Sequence, residues 1–397
     1  MLKWLQPPRL RVGDSVEETE PRRVTWMELF YDLIFVVAVA ELAHRLGQDV
    51  SPAGFFGFVG LFVPVWWAWI GTTFYANRFD TDTVVRRILM ALQMLAIAAL
   101  AVNIHHGFTD SAVGFALAYA VARMILVFEY WWAGHCNPDA RPLTQHYAAG
   151  FAIAAACWLV SAIVPPPWRF VLWIVGLTVD FATPLTGQHH QMRFLPHAEH
   201  LPERFGLFTI IVLGEAVIAV VKGVAEVHWS LLSAGCAALG FAIAVCLWWI
   251  YFDNVDGSSL RAVRTGGNGA AFQVWLYVHL PLVIGIVGTG VGVEHLIVQE
   301  GARVLTDPDR WLLCGSVALC LLALAVLHRT GVIFKCKVRT QHRFIGAGLV
   351  MLVAIAGAVM PPIGVIGSLA LIGAVQVVLD LRQGRPAHSQ VDAPILS

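Results

Sequence analysis

Twelve runs of mostly apolar residues occur along this chain, and each is close to the length of a helix that crosses a membrane. Hydrophobic residues make up 58% of the sequence and charged residues only 13%, whereas charged residues are about a quarter of a soluble domain. A helix needs about 20 apolar residues to cross about 30 Å of hydrocarbon. The runs cover residues 26–46, 52–74, 86–105, 110–133, 146–164, 168–186, 205–224, 230–252, 270–297, 311–332, 342–360 and 362–380.

The runs are continuous and do not alternate between apolar and polar residues. Continuous runs favour helices over a β-barrel, because lipid offers no partner to an unpaired backbone amide. We therefore predict an all-α integral membrane protein with about twelve transmembrane helices, whose surroundings are a lipid bilayer.

Polar residues of the first six runs recur at matching positions in the last six. Glu28 in MELFYDLIFVVAVAEL aligns with Glu203 in PERFGLFTIIVLGEAV, and Glu41 aligns with Glu215 after a shift of one residue. The string TQH occurs twice, about 196 residues apart, and each copy precedes a helix that ends in two prolines. This recurrence predicts two parallel six-helix repeats, related by an axis along the membrane normal.

The second run of each half ends in a similar polar segment. WWAWIGTTFYANRFD aligns with CLWWIYFDNVD, which pairs Asn77 with Asn254 and Asp80 with Asp256. Together with Arg78, these residues are candidates for a gate or for an interface between the repeats. The alternative is helix capping, because Asn and Asp favour helix ends for local reasons.

The distribution of positive charge predicts the orientation, although the net charge is zero. A cytoplasmic start and twelve spans place about 20 of the 26 Lys and Arg residues on one face, as the positive-inside rule requires of cytoplasmic loops. The predicted organisation is a cytoplasmic lead-in (1–23), a first repeat (24–186), a cytoplasmic linker (187–200), a second repeat (201–381) and a cytoplasmic tail (382–397).

Acidic residues inside the apolar runs are the strongest functional candidates, because a charge in a membrane helix costs several kcal/mol unless it faces protein or water. Glu28 and Asp32 lie four residues apart, on one helical face. Two carboxylates this close favour a shared proton or a bound cation, while Glu28 alone also suits a helix N-terminus. With Glu41, Glu203 and Glu215 they are the predicted lining of an ion or solute path between the repeats.

Histidines form a second group of candidates. His146 and His342, in the two TQH strings, are either gates that titrate near neutral pH or hydrogen-bonding residues at a helix interface. His197 and His200 lie in the linker between the halves and are weak candidates for a metal site, since their spacing matches no established ligand pattern.

No motif of a soluble enzyme is present: the sequence lacks a phosphate-binding loop, HExxH, Gly-x-Ser-x-Gly and a paired-cysteine redox motif. We therefore expect no cofactor and no nucleic-acid partner. The favoured function is movement of a small solute, proton or cation. A membrane enzyme that acts on lipid, with His197, His200 and Glu203 as candidates, and a stress sensor remain alternatives, and a homo-oligomer remains open.

Three segments resemble one bacterial family. The string MELFYDLIFVVAVAEL, the FYANRFD segment and HLPERFGLFTIIVLGEAV are similar to the low temperature requirement A (LtrA) family. The resemblance extends from Val24 to about Leu381. It implies a multi-pass protein of the bacterial inner membrane, named for growth in the cold and without an assigned reaction.

A weaker resemblance concerns the first helix alone. An acidic residue before a phenylalanine-rich helix, duplicated in two sets of six, is similar to the lysosomal and bacterial potassium channels, whose first helices line a pore. This chain has Glu-Leu-Phe-Tyr-Asp at positions 28–32 where those channels have an Arg-Phe-Ser-Asp string. The resemblance implies that α-helical residues near Asp32 face a path.

The predicted topology gives a direct test. A tag at Met1 or at Ser397 should be inaccessible from outside intact cells and become accessible once the membrane is permeabilised, because most Lys and Arg residues would otherwise lie on the outer face. Labelling of either tag on intact cells would contradict the arrangement of twelve spans in two parallel repeats.

Overall fold

The computed structural model describes residues 8–10, 24–80, 83–191, 194, 199–253, 269–330 and 337–383. Within these residues the fold is almost entirely helical. The long helices are α1 (Trp26–Gln48), α2 (Pro52–Arg78), α3 (Val84–Val102), α4 (Ala112–Cys136), α5 (Arg141–Ile163), α6 (Trp168–Thr186), α7 (His200–Glu226), α8 (Leu231–Phe252), α9 (Gly269–Val298), α10 (Asp307–Thr330), α11 (Lys337–Ala356) and α12 (Pro362–Arg382).

Each apolar run in the sequence lies on one of these helices, with ends within a few residues of the predicted ones. Ten of the described helices are long and apolar enough to cross a membrane. The two others are α1 and α11. Helix α1 carries three carboxylates, and α11 begins with a basic segment.

Short elements connect the helices. Residues Arg9–Leu10 (β1) pair antiparallel with Phe79–Asp80 (β2), which directly follow α2. The Asn137 side chain holds this pair, because Leu10 N donates to Asn137 Oδ1 at 3.3 Å and Asn137 Nδ2 donates to Pro8 O at 2.7 Å. Residues 8–10 are thus attached to the end of α4.

Helix α1 buries two carboxylates and exposes several large apolar side chains. Glu28 and Asp32 are buried. Trp26, Phe30 and Leu33, by contrast, are between 55% and 88% exposed. A soluble protein has the reverse arrangement, so this distribution fits a helix whose outer face contacts hydrocarbon.

The chain divides into two compact units. The first comprises residues 1–49 and 53–211, and the second comprises residues 50–52 and 212–397. The division falls inside α7, so the first three turns of that helix pack with α1–α6. The sequence predicts that the second repeat begins at residue 201. The compact units divide after residue 211, which is about three helical turns further along the chain.

In the first unit, α4 packs against α3 and α5, α5 packs against α6, and α1 packs against α3. A cluster of aromatic rings fills the space where α2, α4 and α5 meet. The Tyr130 ring lies 5.1 Å from the rings of both Tyr75 and Tyr147. Buried rings of this kind fix the helices at the end nearest the β1–β2 pair.

In the second unit, α9 packs against α8, α10 and α12. Glycines bring its backbone close to α10. A Cβ atom on Gly285 would lie 2.9 Å from Ser316 O, and one on Gly292 would lie 2.8 Å from the Leu313 Cα atom. Small residues at such crossings allow membrane helices to approach closely, where packing must replace the hydrophobic effect.

Substitution of Gly292 tests this packing. Gly292→Ala should lower the melting temperature in detergent, because the added methyl group meets the α10 backbone and overpacking costs about 1–3 kcal/mol. Gly315→Ala is the matched control. Its added methyl group meets no atom within 4 Å, so its melting temperature should be unchanged or slightly raised. Equal melting temperatures for the two variants would contradict the close approach of α9 and α10.

Candidate functional site

The first turn of α1 places Glu28 at the start of the site. Thr25 caps the helix: Glu28 N donates to Thr25 Oγ1 at 3.3 Å, and Thr25 N donates to Glu28 Oε2 at 2.9 Å. This capping box fixes the carboxylate over the helix N-terminus. Glu28 is nevertheless only 4% exposed. It therefore acts as a cap and also carries a buried charge.

Asp32 lies one turn further along the same face of α1. Its Oδ1 atom accepts hydrogen bonds from Trp69 Nε1 on α2 at 2.8 Å and from Arg204 Nη2 on α7 at 2.6 Å. Its Oδ2 atom is buried and has no hydrogen-bond partner among the described residues. Asp32 thus connects α1, α2 and α7 through its Oδ1 atom, while its Oδ2 atom keeps its capacity to accept a hydrogen bond.

The first turns of α7 supply the basic partners. Arg204 Nη1 lies 3.3 Å from Glu28 Oε1, so one guanidinium contacts both carboxylates. His200 Nε2 lies 3.4 Å from both oxygens of Glu28, and its Nδ1 lies 3.0 Å from Asn77 Nδ2 on α2. An amide that donates to Nδ1 leaves the imidazole proton on Nε2, facing Glu28.

These six side chains form what we call the ionic cluster: Glu28, Asp32, Trp69, Asn77, His200 and Arg204. All of them are buried. Its three ionised groups are two carboxylates and one guanidinium, and these described groups sum to one negative charge when His200 is neutral. One added proton, or one monovalent cation, brings the cluster to zero. A buried group with a net charge is costly, and it favours the binding of a neutralising partner.

Aromatic rings surround the ionic cluster. The Trp69 ring lies 5.0 Å from Phe205 and 4.4 Å from Phe208 on α7, and Phe35 on α1 lies 6.2 Å from Phe208. These rings replace water around the charges. In the resulting low dielectric the ion pairs are strengthened, and any unpaired charge becomes more costly.

The other predicted acids lie apart from the ionic cluster. Glu41 is half-buried near the opposite end of α1, and Glu203 is exposed beside Arg204. Glu215 belongs to the second unit, where its Oε1 lies 3.7 Å from Lys222 Nζ. The structure therefore brings Glu28 and Asp32 together, as the sequence predicts, but surrounds them with basic and aromatic partners rather than with Glu203.

The polar segment at the end of α2 has two separate roles. Asn77 belongs to the ionic cluster. Arg78 is also buried, but its Nε donates to Phe194 O at 3.2 Å and its guanidinium lies over the Tyr147 ring. The Asp80 backbone belongs to β2. The matching residues of the second half, Asn254 and Asp256, lie outside the described residues.

The two TQH histidines each join the fifth helix of a half to the sixth. His146 Nε2 lies 2.9 Å from Thr183 O. His342 O accepts from Gln376 Nε2 at 3.0 Å. The His146 contact is made by the imidazole, whereas the His342 contact is made by the backbone carbonyl and does not bear on the gate or interface alternatives. Of the two weak metal candidates, His200 is held by Asn77 and Glu28, and His197 lies outside the described residues. Within the described parts of the chain, no group of three metal-binding side chains is found.

Sequence reasoning did not identify Arg204 or Trp69 as site residues. Two buried acids on α1 require a cation, which is a signal that a basic partner exists. The HLPERFG string contains Arg204 but does not identify it as that partner, and no sequence signal marks Trp69. Another buried ion pair in the first unit lies on α4 and α6. Arg123 Nε lies 3.1 Å from Asp180 Oδ2 on α6, and Tyr119 donates to the same oxygen.

The charge balance of the ionic cluster predicts that substitutions of its members lower the stability of the fold by different amounts. Arg204→Gln should destabilise the protein by about 3–5 kcal/mol, because it leaves two buried carboxylates without a cation. Asp32→Asn should cost much less, since Glu28 and Arg204 then balance each other. Melting temperatures in detergent measure the difference. The double variant should recover part of the loss caused by Arg204→Gln, and similar losses for both single variants would contradict this charge count.

Comparison with known proteins extends these observations. The Bacterial low temperature requirement A protein (LtrA) family matches residues 23–379, which is most of the chain. An uncharacterized protein of Rhizobium meliloti (strain 1021) is 30% identical over 289 residues, which cover 70% of each chain. No solved structure matches the chain. With its many long apolar helices, the chain is a membrane protein that belongs to the bacterial LtrA family.

Proposed function

We propose that this LtrA protein moves a small solute or ion across the bacterial inner membrane, and that the charge state of the ionic cluster controls the movement. The proposal includes twelve transmembrane helices in two parallel repeats, with both termini in the cytoplasm. Parallel repeats commonly place a binding site near the middle of the membrane.

The observation that carries the proposal is the net charge of the ionic cluster. Two carboxylates share one guanidinium in a buried, aromatic environment, and Asp32 Oδ2 has no hydrogen-bond partner among the described residues. A purely structural site is usually balanced and satisfied. A buried carboxylate oxygen without a hydrogen-bond partner among the described residues, beside two acids that share one arginine, instead suits a proton or a cation. A coupled transporter needs a site of this kind.

Protonation of Asp32 gives a simple switch. The proton neutralises the carboxylate and weakens its hydrogen bond with Arg204, which then remains paired with Glu28 alone. Because Asp32 lies on α1 and Arg204 on α7, the contact between these two helices changes with the charge. A bound cation at Oδ2 would compete with the proton for the same oxygen, and competition of this kind couples ion and proton movement.

Glu215 is the second candidate position for charge. It is only 4% exposed on an apolar helix, while its partner Lys222 is largely exposed. The ion pair is long, at 3.7 Å, and Glu215 Oε2 is buried without a hydrogen-bond partner in the described chain. We include Glu215 in the proposed machinery and place Glu41 and Glu203, which are more exposed, at its periphery.

The alternative of a lipid-modifying enzyme needs His200 and Glu203 together at the membrane surface. His200 is completely buried and bonded to Asn77, whereas Glu203 is exposed. A buried imidazole that contacts a carboxylate on another helix is better suited to a charge relay than to chemistry on a lipid. This arrangement supports transport over the enzyme alternative.

Flux through purified protein in liposomes tests the proposal. The parent protein should move protons or a monovalent cation when tested against a panel of ion and pH gradients. Asp32→Asn and Glu215→Gln should each lower this flux at least about tenfold, which corresponds to about 1.4 kcal/mol in the barrier. Both variants should insert and fold, because each removes a buried charge and keeps hydrogen-bonding capacity.

The matched control is Phe35→Leu on the same helix as Asp32. It alters the packing against Phe208 and leaves every charge in place, so flux should change only mildly. Parent-like flux in both neutralised variants would mean that the acids are structural, and it would favour the enzyme or sensor alternatives.

A further inference from the structure

A cavity of about 590 Å³ lies in the second unit, where α10 ends and α11 begins. Two of its lining side chains are cationic, two are polar and uncharged, and one is aromatic. They are Arg329, Lys337, Thr340, Gln341 and Phe344. The cavity lies outside the ionic cluster, which belongs to the first unit.

The two cationic side chains that line the cavity, Arg329 and Lys337, form no ion pair within the described part of the chain. Two further arginines follow Lys337 on α11. Arg343 pairs with Asp380 on α12, and Arg339 Nε lies 3.9 Å from the same carboxylate. The cavity lining therefore carries two positive charges that pair with no carboxylate among the described residues.

A buried histidine gives an independent indication of a missing partner. His328 is only 7% exposed, and neither of its ring nitrogens has a hydrogen-bond partner among the residues described. It directly precedes Arg329, which lines the cavity. Buried polar groups are almost always satisfied in native proteins. The imidazole next to Arg329 therefore has hydrogen-bonding capacity that suits a polar or anionic partner.

We propose that this cavity binds a phosphate group, carried either by the head of an anionic phospholipid or by a soluble phosphate compound. Arg and Lys side chains supply charge, and the Thr340 hydroxyl and Gln341 amide supply further donors. The Phe344 ring offers an apolar surface to the carbon atoms next to the phosphate. A cavity of this volume accommodates a small organic ligand.

The proposed topology places the cavity at the cytoplasmic side of the membrane. Anionic lipid head groups at that surface attract basic residues by about 1 kcal/mol for each side chain. The inference does not depend on transport, since it rests on a different unit and on different side chains. Failure of one proposal therefore leaves the other in place.

Thermal unfolding of the purified full-length protein in a neutral detergent tests the inference. The probes are dihexanoyl phosphatidylglycerol, dihexanoyl phosphatidylcholine and inorganic phosphate. The test variant is Arg329→Gln combined with Lys337→Gln, and both positions are exposed, so folding should be retained. The control is Arg382→Gln, which removes an exposed positive charge at the end of α12, away from the cavity lining.

Phosphatidylglycerol or inorganic phosphate should raise the melting temperature of the parent and of the Arg382→Gln control. Half-saturation in the double variant should need about 25-fold more probe, or about fivefold for each cation removed. A response to phosphatidylglycerol alone assigns the site to lipid, and a response to inorganic phosphate assigns it to soluble phosphate compounds.

Two results would overturn the inference. The first is the absence of any response in the parent to either anionic probe. The second is an equal response in the parent and the double variant, or an equal loss of response in the Arg382→Gln control. Should the double variant fold poorly, the single variants Arg329→Gln and Lys337→Gln are judged by the same criteria.

Discussion

The contact of Arg204 with Asp32 and Glu28 is the interaction on which the first unit depends most. It joins α1 to the start of α7 across 172 residues of sequence, and the Trp69 indole adds α2 to the same carboxylate. Each partner alone is an ion in an apolar environment, which costs several kcal/mol. The three helices therefore have to be assembled together for any of these charges to be buried.

The helices and part of the ionic cluster were predictable from the sequence, because their signals are local. Apolar runs near 20 residues give α1–α12, and the four-residue spacing of Glu28 and Asp32 gives one shared face. The partners were not predictable, because Arg204 and Trp69 reach Asp32 only through tertiary packing. Glu203 illustrates the limit: it aligns with Glu28, but the helix turns it outward, and the neighbouring Arg204 points into the cluster.

In the proposed repeat, polar residues occur at matching positions of the two halves, but the residues that bond to them do not match. Asp180 on α6 and Gln376 on α12 occupy matching positions about 196 residues apart. Asp180 pairs with Arg123 on α4, whereas Gln376 accepts from Arg343 on α11. In each half the sixth helix thus bonds an arginine, although the arginine comes from a different helix. Burial requires a polar partner at such a position, but it does not fix which helix supplies it.

Asp32, whose Oδ2 atom has no hydrogen-bond partner among the described residues, is the proposed site of proton uptake in the ionic cluster. Infrared difference spectra of the protein in liposomes, recorded as the pH is lowered, report this directly through the C=O stretch of a protonated carboxyl group. The account predicts a band from a buried carboxyl group in the parent that is missing in Asp32→Asn and retained in Phe35→Leu. The same band in parent and Asp32→Asn, or no such band in the parent at any pH at which the protein stays folded, would contradict it.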